Sequence, residues 1–147
     1  MIMNIEFKKT SPEKVSELLT LLQKSNLPVN DIGEKVELFS LEYNEEIIGT
    51  AGLEIDGQIG LLRSVSVLES QKGKGYGHLI VQNLETYAQT QNIKELYLLT
   101  TTAKDFFEKK CNYDVVERVN VPTEIQNSQQ FALVCPASAV VMKKSLV

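Results

Sequence analysis

A chain of 147 residues is of single-domain length, enough to bury roughly 68–70% of its unfolded surface without disulfides or a metal. Its 43% hydrophobic and 23% charged content is that of an ordinary globular protein, and a formal charge of -4 from 15 basic and 19 acidic residues argues against general binding to nucleic acid or an anionic membrane, while leaving room for a local basic pocket. One histidine, and two cysteines (Cys111 and Cys135) that form no CxxC pair, argue against a zinc site, so no metal is expected; with no signal-like segment after Met1 and no run approaching 18 apolar residues, the expectation is a cytoplasmic protein with free thiols.

Ile2–Phe7 alternates apolar and polar residues, as a half-buried strand does. Ser11-Pro12-Glu13 reads as a helix start, with Ser11 as cap, and Val15, Leu18, Leu19 and Leu22 share a face. Residues 26–34 read as a connector, in which the polar Asn30 and Asp31 are candidates to line a pocket. Val36–Tyr43, Ile47–Ile55 and Ile59–Val67 read as a three-strand meander, with turns at Asn44-Glu45-Glu46 and Asp56-Gly57. A polar loop, Leu68–Gln71, precedes Lys72-Gly73-Lys74-Gly75-Tyr76-Gly77, which opens directly into a helix whose buried stripe is Ile80, Val81, Leu84, Tyr87 and Ala88, ending at Asn92. Glu95–Thr101 is a fifth strand with a continuous apolar centre, so both its faces are expected to be covered. Strand, glycine loop, helix and strand make one crossover unit, so strands four and five are expected to run parallel. A short helix over Ala103–Lys110, a strand at Val115–Val119, a helix from Pro122 to about Phe131 and a strand at Ala139–Lys143 complete the chain.

The glycine loop carries the most specific signal. Alternating glycines let the backbone turn successive N–H groups inward, and a helix N-terminus adds partial positive charge, so the loop suits an anion such as phosphate. GxxxxGK[ST] is absent, which excludes a P-loop NTPase. A dinucleotide fingerprint needs GxGxxG after the first strand; here His78 stands where the third glycine would fall, and the loop follows the fourth strand.

The order of elements, with Lys72-Gly73-Lys74-Gly75-Tyr76-Gly77 after the fourth strand and Val65 and Val67 just before it, resembles GNAT-type acetyltransferases over the whole of residues 1–147, read as one domain. Their loop signature is [RQ]-x-x-G-x-[GA], and Lys72 replaces its first residue. The resemblance implies an α/β (α+β) fold: a mixed, mostly antiparallel sheet of six to seven strands, splayed between strands four and five and flanked by helices. It also implies acetyl-CoA as acyl donor, with its pyrophosphate on Lys72, Gly73, Lys74, Gly75, Tyr76 and Gly77 and its pantetheine arm along Val65, Ser66 and Val67. Phe107 stands where many members carry the tyrosine that protonates the leaving thiolate, and it would flank CoA instead. Leu96–Phe107 (LYLLTTTAKDFF) and Cys135–Val140 (CPASAV) are similar to a subfamily associated with arsenic-resistance operons, which implies a small amine acceptor.

The family reaction is attack of a neutral amine on the thioester carbonyl, polarised by the backbone N–H near Val65. A thiolate of pKa about 8.5 that leaves unprotonated at pH 7 costs roughly 2 kcal/mol, so loss of the tyrosine is tolerable. An α-amino group needs only about 1.4 kcal/mol to become neutral, against about 4.6 for a lysine side chain, and the fourth strand offers no carboxylate base. An α-amino or similarly acidic amine is therefore expected. Glu54 and Asp31 are the candidate bases; Asn30, Asp31, Arg63, Ser64 and Thr100 are the candidate acceptor contacts, with Arg63 suited to an acidic group. Two other readings stand beside this one: a protein N-acetyltransferase, and a non-catalytic module binding CoA or, through Cys111 and Cys135, a thiophilic ligand. A homodimer through a sheet edge is compatible with each.

Overall fold

The computed structural model describes residues 4–25, 27, 29, 32, 35–126 and 139–147. β1 spans Ile5–Lys9, later than the alternation of Ile2–Phe7 predicts. Lys8 and Lys9 extend it by pairing with Ser40 and Phe39, and Lys9 meets the Glu37 carboxylate at 3.4 Å; Ile2 and Met3 lie outside the described residues. Pro12–Lys14 forms a 3-10 turn that runs into α1, Val15–Lys24. Ser11 makes no side-chain cap; its main-chain carbonyl accepts the Lys14 N–H at 2.9 Å instead.

β2 (Val36–Tyr43), β3 (Glu46–Asp56) and β4 (Ile59–Val67) form the meander. Asn44 and Glu45 have φ of 49° and 71°, both positive as a two-residue type I′ hairpin requires. A 3-10 turn at Glu69–Gln71 leads to α2, Tyr76–Thr90. The remaining elements are β5 (Glu95–Thr100), α3 (Lys104–Lys110), β6 (Asp114–Val116), α4 (Thr123–Gln126) and β7 (Val140–Ser145). β6 is shorter than expected. The chain turns into a 3-10 segment at Arg118–Asn120, where Arg118 Nη2 donates to the Ala139 carbonyl at 2.8 Å and Val119 is left 81% exposed. The predicted continuation of α4 to Phe131 lies outside the described residues.

The seven strands form one sheet in the order β1-β2-β3-β4-β5-β7-β6. Its parallel pair is β4–β5, and that pairing covers Ile59–Leu61 against Glu95–Tyr97 before the strands part. This is the expected splay, and it opens toward the end of β4 that carries the glycine loop.

Adjacent residues sort into two layers. Leu62, Leu96 and Leu98 join Ile80, Val81, Leu84 and Ala88 of α2 and Phe107 of α3 on one face. Leu61 and Tyr97 join Val121, Ile125 and Val141 on the other, where Leu18 and Leu22 of α1 also seal Ile47. β5 is thus covered on both faces, which is why its centre is uniformly apolar. Among the described residues no helix is long and apolar enough to cross a membrane.

Candidate active site

The site begins with a defect in β4. Thr50 pairs with Ser66 and Gly52 with Arg63, so Ala51 alone faces both Ser64 and Val65, which is a β-bulge. Ser64 lies in the left-handed region at φ 58°, where a non-glycine residue costs about 1–2 kcal/mol. The extra residue resets the side-chain alternation. Leu62 faces the α2 layer, and so do Val65 and Val67, where an unbroken strand would turn Ser64 and Ser66 that way. Three polar contacts surround the bulge. Thr50 Oγ1 donates to the Ser64 carbonyl at 2.7 Å, Arg63 Nε to Ser64 Oγ at 3.3 Å, and Arg63 Nη1 to Glu54 Oε2 at 3.0 Å.

The glycine loop follows from the same strand. Gly73 and Gly75 have φ of 82° and 84°, with nothing within 4 Å of where a Cβ would sit. They are glycine because of the backbone, not for lack of room. Gly75 is the N-cap of α2, and the Leu79 N–H reaches back to the Gly75 carbonyl at 3.2 Å, so the N–H groups of the first turn point toward the loop. Gly77 differs: a Cβ there would meet Phe106 Cζ at 3.2 Å, so that α3 closes directly on α2.

A cavity of about 1110 Å³ runs from this loop to the C-terminal end of α1. Lys72, Gly73, Gly75, Tyr76 and Gly77 line one end; Val65, Ser66 and Val67 line the middle; Leu21, Lys24 and Ser25 line the far end. Among the described residues three lysines, Lys24, Lys72 and Lys110, stand in the wall against one acid, Glu69, which is exposed and paired to Lys72 at 2.9 Å. The wall is therefore locally basic in an acidic chain, which favours an anionic ligand. Among the described residues no group of three or more His, Cys, Asp or Glu could hold a metal ion.

Several sequence-predicted residues lie elsewhere. Lys74 is outside the cavity wall and donates to Gln71 Oε1 at 3.2 Å. Thr100 is replaced in the wall by Thr102, because Thr100 Oγ1 accepts the Ala103 N–H at 2.9 Å as the chain enters α3. Arg63, Ser64 and Glu54 do not line the cavity. The Arg63 side chain is fully buried and ion-paired to Glu54, so neither an exposed anion grip nor a free carboxylate base is present at that pair. Asn30 and Asp31 lie outside the described residues. Phe107 does line the cavity, edge-on to Phe106 and Tyr113 at centroid distances of 5.1 and 5.6 Å. Tyr113 cannot stand in as the acid. Its hydroxyl donates to Glu85 Oε2 at 2.9 Å, and burial, then the Glu85 charge, pushes it well above the ordinary phenol range.

Thr50, Ser25, Lys24 and Lys110 escaped the sequence reading. Thr50 lines the cavity within Gly49-Thr50-Ala51-Gly52, a run of small residues that signals close backbone approach. Ser25, at the end of α1, shares a hydrogen bond of 2.8 Å with Ser66 Oγ, a contact across 41 positions that no local pattern announces.

A splayed mixed sheet with a glycine loop at the mouth of the splay defines a class of acyltransferase fold, and residues 3–113 match the model of the acetyltransferase (GNAT) family. The chain belongs to that family. It is 27% identical over 90 residues to an uncharacterized N-acetyltransferase, CT2212, of Chlorobaculum tepidum; the match covers 60% of this chain and 57% of that protein. In three dimensions it is similar to N-acetylglutamate synthase of Neisseria gonorrhoeae, solved with coenzyme A and N-acetyl-glutamate, with a TM-score of 0.83 at 12% identity; all of this chain aligns to 36% of that one. It is also similar to Rv2747 of Mycobacterium tuberculosis, solved with CoA, with a TM-score of 0.75 at 17% identity, over 97% of this chain and 99% of that one. At such identities these structures speak for the fold.

Proposed function

We propose that this protein is an acetyl-CoA-dependent N-acetyltransferase that transfers acetyl to the amine of a small, amino-acid-like molecule by direct attack. The continuous cavity carries this reading: it joins an anion-binding loop at one end to a second, polar end at Lys24 and Ser25. The loop suits the CoA pyrophosphate through Gly73, Gly75 and the first turn of α2, with Lys72 adding charge. Val65 to Val67 would guide the pantetheine arm, and an amide near Val65 would polarise the carbonyl. The neutral amine adds to that carbon, the C–S bond breaks and CoA leaves as the thiolate, and the amine's proton passes to water; Phe107 has no proton to give the thiolate, which takes one from solvent.

The only carboxylate in the described wall is Glu69, on the exposed rim. With no buried carboxylate base among the described residues of the wall, acceptors already close to neutral are favoured, which points to α-amines over lysine side chains. The N-acetyl-glutamate in the gonococcal enzyme supports an amino-acid-like acceptor. The relatives named above carry no link to arsenic resistance, so the reading takes from that resemblance only the small amine. The alternative of a thiophilic-ligand module rests on Cys111 and Cys135: Cys111 is buried, and burial, then the Glu85 charge, pushes its thiol up to about 11, while Cys135 lies outside the described residues. A thiol-release assay over a panel of free amino acids, polyamines and peptides tests the proposal. Turnover of free α-amines is the expected result; turnover of peptides alone would establish the protein-acetylating reading instead.

A further inference from the structure

The bulge in β4 is better secured than a passive irregularity needs to be. Thr50, Arg63 and Ser64 are 1%, 3% and 7% exposed, and their polar groups converge on one residue in an unfavourable conformation. β3 is also shaped to fit it. A Cβ on Gly52 would meet Arg63 Cγ at 3.2 Å and Ser64 Cβ at 3.4 Å; a Cβ on Gly49 would first strike Ile80 Cδ1 of α2 at 2.5 Å and then the Ser66 carbonyl at 3.2 Å, so that glycine serves the helix contact as well as the strand. Between these two glycines the strand presents one hydroxyl, Thr50 Oγ1, at the Ser64 carbonyl. The Arg63 fork spans the neighbouring positions, one nitrogen on Ser64 Oγ and another on Glu54.

We infer that Thr50 and Arg63 are positioning residues that lock Ser64 in its left-handed conformation and so aim the amide of the bulge at the donor's thioester carbonyl. The inference rests on the reading that an amide near Val65 polarises that carbonyl. Strain held at a functional residue persists only when the surroundings over-determine it, and here two side chains and a fitted opposite strand do so. Loss of one clamp lets Ser64 relax toward ordinary strand geometry and swings the amide away. The glycine loop and its grip on CoA are untouched by that change.

The test needs no acceptor. Acetyl-CoA labelled with 13C at the thioester carbonyl is bound to wild type, and the infrared carbonyl stretch is compared with that of free acetyl-CoA; acceptor-free hydrolysis of acetyl-CoA and CoA affinity are measured alongside. In wild type the stretch moves to lower frequency. In Thr50→Val it returns toward the free value, hydrolysis falls about tenfold, a fraction of the 10²–10³ lost with a whole oxyanion donor, and CoA affinity, held mainly by the glycine loop, falls much less than hydrolysis does; Thr50→Ser restores the stretch and the hydrolysis. Placed on a Ser64→Gly background, where glycine holds φ near 58° without help, the Thr50→Val penalty shrinks to less than about threefold. Arg63→Lys keeps a charge for Glu54 but loses the fork, and gives the same carbonyl shift should Thr50→Val fail to fold. A normal wild-type shift that survives Thr50→Val, or an equal penalty on both backgrounds, overturns the positioning role. Absence of any shift in wild type overturns the amide reading itself, and the inference with it.

Discussion

Gly75 is the position at which the donor site can be broken most cleanly. It caps α2 at φ 84° and ψ 8°, and no atom stands within 4 Å of its would-be Cβ. A side chain therefore meets no steric wall, and its whole effect passes through the backbone. Holding an alanine in the left-handed region costs about 1–2 kcal/mol. At 1.4 kcal/mol per factor of ten, the fraction of loops with converged N–H groups falls about 5–30-fold, and the dissociation constant for CoA rises by the same factor. Valine is β-branched and tolerates that region less well, so Gly75→Val is expected to abolish measurable CoA binding. The residue is exposed and the strain is confined to its turn, so the melting temperature should fall by only a few degrees. Calorimetric titration with CoA and with pantetheine, which lacks the pyrophosphate, separates local from general damage. Gly75→Val should spare pantetheine. Normal CoA affinity, or an equal loss for both ligands, would refute the placement of the pyrophosphate on this loop.

Two further outcomes follow from the packing. Phe107→Tyr puts a phenol at the position where many family members carry the acid; since unprotonated departure of the thiolate costs about 2 kcal/mol, the single-turnover rate should rise several-fold with an upper bound near 30-fold, and an unchanged rate would show that leaving-group protonation does not limit. Glu42 is a buried carboxylate. Burial alone would raise its pKa, but the Lys14 ammonium at 2.7 Å and the Ser40 hydroxyl at 2.7 Å outweigh that and hold it below the ordinary value. A folded pKa below the unfolded one gives stability that is present above about pH 4.3 and lost as pH falls through the folded value. Glu42→Gln should cost about 2 kcal/mol at pH 7 and much less at pH 3, as read by denaturant melts at both; an equal deficit at the two pH values would contradict the charge assignment.

The strands and helices that carry a period were legible in the sequence, because burial imposes it: β4 and the apolar stripe of α2 fall where alternation and 3.6-residue spacing put them. The glycine loop was legible because its backbone demands glycine regardless of context. The bulge was not. Ser64-Val65-Ser66-Val67 reads as smooth alternation, and only the register against β3 shows that Ser64 has slipped out of it. That slip decides which of these residues face the donor. Arg63 appeared available for another reason: its partner Glu54 is nine positions away on the neighbouring strand, a pairing that only the register shows. Thr100 misled for a related reason: three consecutive threonines look equivalent in a strand, yet one is used to turn the chain and another faces the cavity.

The place of β7 has a consequence for assembly. It follows β6 in the chain but lies between β5 and β6 in the sheet, so β6 has no strand to join until β7 has emerged from the ribosome. Until then β5 offers a bare hydrogen-bonding edge with Leu96 and Leu98 behind it, the sort of surface on which nascent chains stick to one another. Insertion of β7 covers that edge on the side of β5 away from the wedge, so β5, which forms one side of the splay, is paired on both sides only once β7 is in place.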